Sequence, residues 1–137
     1  MTEARSARRA LKDACLAVLD LVAVEHPAGH QSKLAARYVI ISRSGERIGL
    51  MFEKHESAPA QVWVAHRHAG NLLDGSIPVR EYRAAELYTS VEADADPPYG
   101  RHAALKAMRD MANTDLLRFT VESRLQLERI VSHLAAL

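Results

Sequence analysis

The residues of this chain with the clearest capacity for chemistry are His66-Arg67-His68, because alternation along an extended strand puts both imidazoles on one face. Two such ligands hold a transition metal when a third arrives, and His26, His30 or His55 are the candidates to supply it. A metal-dependent hydrolase or nuclease centred on His66 and His68 is therefore the alternative reading of function. The spacing does not require it: there is no helical His-Glu-x-x-His pair, no cysteine ligand set and no carboxylate at a fixed offset, and two polar residues fraying a strand into a loop are the plainer account. The carboxylate-x-lysine pattern of restriction-type nucleases is missing too, since Lys12, Lys33, Lys54 and Lys106 follow Ala10, Gln31, Phe52 and Ala104 two residues earlier. Glu53 and Lys54 are adjacent, so on a strand they point to opposite faces. Asp94 and Asp96 are paired carboxylates by spacing, yet a solvated turn and a helix N-cap account for both. No glycine-rich phosphate loop or nucleophile elbow is present. No catalytic residue is assigned, and neither a metal nor a cofactor is expected.

Two features point to binding. Arg5, Arg8, Arg9 and Lys12 lie in the first turns of a helix, at the positive end of its dipole, where intrinsic stability disfavours cations. A phosphate-bearing or acidic partner would compensate, as would Glu92, Asp94 and Asp96 of the same chain; a merely solvated basic face is the plainer account. The second feature is a half-polar sheet face carrying Tyr38, Arg47, Met51, Trp63 and Arg67, in which rings flanked by arginines would stack the bases of single-stranded nucleic acid. The opposing expectation is that a helix covers this face and makes it a second core.

These side chains must be positioned by a hairpin. Ser44-Gly45, between the alternating runs Tyr38-Ser42 and Arg47-Phe52, reads as a two-residue loop that pairs Arg43 with Glu46. Counting outward sets Ile41 opposite Ile48, Val39 opposite Leu50 and Arg37 opposite Phe52, with the five apolar residues forming the core face. A helix over 3–25 precedes it, with Ala7, Leu11, Ala14, Cys15, Val18, Leu21 and Val22 as its apolar stripe, ended by His26-Pro27. Residues 61–67 form a third strand, and 71–78 a loop. Residues 79–90 read as a short strand and a helical turn. A helix is expected to open at Asp96-Pro97 and to bury Leu105, Met108 and Met111. Leu116–Val121 favours a strand, with an uninterrupted helix from Asp115 as the competing reading. Ser123 and Gln126 resemble a capping box opening a last helix that buries Leu127, Ile130, Val131 and Leu134.

The order is α-β-β-β-(β)-α-β-α, which defines an α+β fold: a mostly antiparallel sheet packed with three main helices in a single domain spanning 1–137. Val18, Val39, Ile41, Leu50, Phe52, Leu105 and Ile130 are the expected core. At 137 residues, 48% hydrophobic, one core of ordinary density is affordable. The net charge of +1 lacks the strong basic footprint of a general phosphate-backbone binder. The single cysteine, Cys15, excludes an intrachain disulfide, and Asp20 interrupts the one apolar run that follows a basic segment. The expectation is a cytoplasmic, non-membrane, non-catalytic binding or interaction module. Its partners would be nucleic acid or an acidic protein surface, with homodimerisation as a related reading.

Overall fold

The hairpin turn is one residue longer than its sequence suggests, and that single residue reassigns a whole strand. The computed structural model describes residues 2–31, 34–55, 58–84 and 103–137, with the side chains of 2–5 and 103–104 left aside. Strands β2 (Ala35–Ile41) and β3 (Arg47–Glu53) are joined by Arg43-Ser44-Gly45: Ser42 and Glu46 close the loop through Ser42 N–H to Glu46 C=O at 2.8 Å, and Gly45 takes φ +87°. A three-residue loop with glycine in the left-handed position is the next most favoured hairpin geometry. Ile41 therefore pairs with Arg47, Ile40 with Ile48, Val39 with Gly49 and Tyr38 with Leu50. Because side chains alternate with period two, this slip corrects the expected faces of β2 while leaving those of β3 intact. Tyr38 and Ile40 enter the main core beside Ile48, Leu50 and Phe52; Val39 is buried on the opposite face, and Ile41 is 48% exposed there rather than in the core.

The sheet has six antiparallel strands in the order β1-β2-β3-β4-β6-β5, where β1 is Val24–Glu25, β4 Gln61–Ala65, β5 Val79–Tyr82 and β6 Leu116–Thr120. Residues 116–120 are thus a strand, inserted between β4 and β5. Helix α1 (Thr2–Val22) and the last helix cover one face. Cys15 and Leu19 of α1 are buried, with Leu11, Leu16 and Val18 packed partly against them. Leu21 is instead 86% exposed, since it lies about 200° round the helix from Leu19. The last helix, Arg124–Ala135, buries the four expected residues, and its N-cap Ser123 Oγ accepts from Gln126 N–H at 3.3 Å. The Gln126 side chain accepts from the Glu122 amide at 2.7 Å rather than from Ser123, a capping box displaced by one residue.

The other face carries a smaller cluster. Where the sequence suggests one regular helix, the described part is a 3-10 turn (Ala103–Ala107) and a single helical turn, α2 (Arg109–Ala112), so the last helix is α3. Leu105, Met108 and Met111 lie over Met51, Trp63, Tyr82 and Leu116. Gly49 makes this approach feasible, because a Cβ there would run into the Asp110 carboxylate. The expected helix start at Asp96-Pro97, the turn after residue 84, and Glu92, Asp94 and Asp96 lie outside the described residues.

Candidate functional site

The basic flank of α1 forms one wall of a pocket of about 310 Å³. Helical spacing carries Ser6, Arg9, Asp13 and Leu16 down one side, with Arg8 and Lys12 alongside. Lys54 closes the pocket from the end of β3, where its N–H donates to Leu34 C=O at 2.9 Å. Among the described residues the lining thus holds four cations and the single carboxylate of Asp13. Lys12 is 5% exposed and donates to the carbonyl of His55, so its aliphatic stem is buried and its ammonium fixed. Of the four basic residues singled out in this helix, Arg8, Arg9 and Lys12 converge here; the Arg5 side chain is outside the described set. Lys54 could not be placed with them from sequence, being 42 residues beyond Lys12.

The stacking platform does not assemble on the second sheet face. Tyr38 belongs to the other core, where its hydroxyl donates to Asp20 Oδ1 at 2.6 Å; burial and this carboxylate hold the phenol well above its ordinary pKa. Met51 and Trp63 face the second side as expected, but both are buried there, Trp63 to 1% exposure. Arg47 is exposed on that side at a distance from them, lining a cavity of about 490 Å³ with His26, Val39, Arg109 and Asp110. Arg67 lies in a 3-10 turn and donates to Thr114 Oγ1 at 3.2 Å.

What the second face does bring together is a row of cross-strand neighbours, Arg37, Met51, Trp63, Arg118 and Arg80. Arg37 donates to the carbonyl oxygens of Gly29 and Ala28. Trp63 Nε1–H donates to Glu53 Oε2 at 2.7 Å. With its amide oriented to suit its neighbours, Gln61 also donates to Glu53 Oε2, at 3.0 Å, and accepts from Arg118 Nε–H at 3.2 Å. The Trp63 and Tyr82 rings are tilted at 44° with centroids 4.7 Å apart. Arg80 places its guanidinium carbon 4.5 Å from the Tyr82 centroid, and Arg118 lies 5.4 Å from the same ring. Arg80, Arg118 and Tyr82 carry no motif in the sequence; the signal available was the alternation of Val79-Arg-Glu-Tyr and Leu-Leu-Arg-Phe-Thr, which becomes informative only once the strands pair.

The histidines diverge. His66 and His68 sit in a 3-10 turn (His66–His68), not on a strand, so the same-face geometry is lost. His66 Nε2 lies 3.5 Å from Glu81 Oε2, while His68 Nε2 lies 3.6 Å from Glu46 Oε2. Burial lowers the pKa of His68, the neighbouring Arg67 lowers it further, and Glu46 opposes both. His26 Nδ1 accepts from the Ala28 amide, which leaves Nε2–H to donate to Asp110 Oδ1 at 3.1 Å. His30 Nδ1 accepts from the Arg37 amide at 2.9 Å. Among the described residues no cluster of three or more His, Cys, Asp or Glu side chains could hold a metal ion. Cys15 is buried, and desolvation raises its thiol to about 11, far from the thiolate character a nucleophile needs.

No helix among the described residues is long and apolar enough to cross a membrane. No protein-family model matches the chain, and neither a curated protein nor a solved structure matches it.

Proposed function

We propose that the protein is a non-catalytic binding module that takes a phosphate group of single-stranded nucleic acid into the α1 pocket. The observation that carries this reading is the convergence of Arg8, Arg9, Lys12 and Lys54 on one concavity of about 310 Å³, with Asp13 the one carboxylate among its described lining residues. Such a pocket admits a protruding phosphate, whereas a duplex calls for an element laid in a groove or an extended basic stripe, and a net charge of +1 supplies no broad field. With Trp63 buried and Tyr38 in the main core, the contribution left to those two rings in base stacking is nil, so binding is indifferent to sequence.

Titration of a fluorescent oligothymidylate at several salt concentrations tests the proposal. Neutralising about two or three phosphates of a single strand gives a slope of log K against log salt of roughly −1.4 to −2.1. Arg8→Ala with Arg9→Ala should flatten that slope and weaken homo-oligomers of all four bases alike. Absence of salt-sensitive binding at tens of micromolar protein, a range set by non-specific affinities of roughly 1 to 100 µM, refutes it.

A further inference from the structure

We propose a second, separate site on the opposite sheet face: an oxyanion site built by Arg80 and Arg118 against the Tyr82 ring, which takes a small phosphate- or carboxylate-bearing ligand. Three observations converge on it. Arg80 and Arg118 are directly opposed residues of β5 and β6, and like charges at directly opposed positions destabilise a sheet. Both guanidinium groups also lean on one aromatic ring, at 4.5 and 5.4 Å from its centroid, which restrains two planar donor forks around Tyr82. Arg118 commits Nε to Gln61, and among the described residues no carboxylate forms an ion pair with either arginine. Of the acids on this face, Glu53 is already held by Trp63 and Gln61, and Asp110 lies over Gly49 and bonds His26.

The third observation is the Tyr82 hydroxyl. It is fully buried and has no hydrogen-bond partner, a state that buried polar groups rarely keep. Arg80 is exposed and Arg118 half-buried, so a ligand reaches the guanidinium donors from solvent while the phenol waits beneath them. A phosphate or carboxylate accepts from two guanidinium forks at once and also cancels the repulsion between them. A purely structural pair of cation–π clamps explains the ring contacts but neither the directly opposed charges nor the orphaned hydroxyl.

Trp63 is the sole tryptophan of the chain, and its ring lies 4.7 Å from Tyr82 and 5.9 Å from the Arg118 guanidinium, so its emission reports on this site. The titrants are inorganic phosphate and acetate, added to the Arg8→Ala/Arg9→Ala protein to remove the α1 pocket, with sodium chloride at matched ionic strength as the control. A saturable change in Trp63 emission is expected. It should weaken at least tenfold in Arg80→Gln and in Arg118→Gln, and severalfold in Tyr82→Phe. Saturation by phosphate alone identifies a phosphate ligand, and saturation by acetate as well a carboxylate one. Without titrant, all three variants should melt at or above the parent temperature, because each relieves repulsion or an unmet hydroxyl. A response equal to that of chloride, a saturable response indifferent to both arginine substitutions, or melting points lowered by several degrees in both arginine variants overturns the proposal.

Discussion

Replacing Trp63 with phenylalanine separates the packing of the second face from its polar wiring. The indole is 1% exposed, and its N–H donates at 2.7 Å to Glu53, a carboxylate that is itself 7% exposed. A hydrogen bond to a charged group contributes about 1.5–3 kcal/mol, and removing its donor leaves Glu53 with a desolvated lone pair. Gln61 still donates to the same oxygen at 3.0 Å, which places the loss toward the lower end of that range. Shrinking an indole to a phenyl in a packed cluster leaves a small void worth roughly another 1 kcal/mol at about 24 cal/mol per Å³. The expected total is about 2–4 kcal/mol, read as a lower urea midpoint with an unchanged slope, or a melting point down by about 6–16 °C at this chain length. A double-mutant cycle with Glu53→Gln should show a coupling of about 1–2 kcal/mol. A cost below about 0.5 kcal/mol, or additive single variants, would show that the Trp63–Glu53 bond does not hold this face together.

Two further outcomes follow from the packing described above. Gly49→Ala should destabilise by about 1–3 kcal/mol, because its methyl displaces the Asp110 carboxylate and parts it from His26; in an Asp110→Ala background the urea-measured cost should shrink, and an equal cost in both refutes the steric account. His68 has a native pKa below its unfolded value near 6.5, so the unfolded chain takes up the proton first. Stability from this residue is therefore full above about pH 6.5 and declines as pH falls from there toward the depressed native pKa, and urea midpoints between pH 7.5 and 5 should flatten in His68→Gln.

How much of this was legible in the sequence depended on whether the signal was local. The α+β order, the strand at 116–120, the α3 cap at Ser123 and the burial of Leu50, Phe52, Leu105 and Ile130 all rest on periodicity or capping within a dozen residues, and they stand in the structure. The hairpin register failed because Ser44-Gly45 fits a two-residue and a three-residue loop equally well, and the choice turns on whether Arg43 pairs or turns. That one position moved Tyr38 from the proposed platform into the main core. The strand expected over 61–67 stops at Ala65, where His66 N–H donates to Asp115 C=O, so His66 and His68 leave the sheet as the fraying reading of them has it. The α1 pocket was half visible as a basic helix flank; Lys54 reached it through tertiary packing, and Arg80 and Arg118 met only through a strand insertion that no window of sequence contains.

The placement of β6 between β4 and β5 also makes one edge of the sheet hang on a single late segment of the chain. β5 pairs with no strand other than β6 among the described residues, although it precedes β6 in the chain by more than thirty positions. Strands β2, β3 and β4 pair as a local meander, while β5 joins that meander only through residues 116–120. The Trp63–Tyr82 stack and the opposed arginines thus depend on both pairings of β6, the more distant one to β4 and the nearer one to β5. A chain lacking its last quarter retains every residue of the meander yet loses the one strand that β5 pairs with among the described residues.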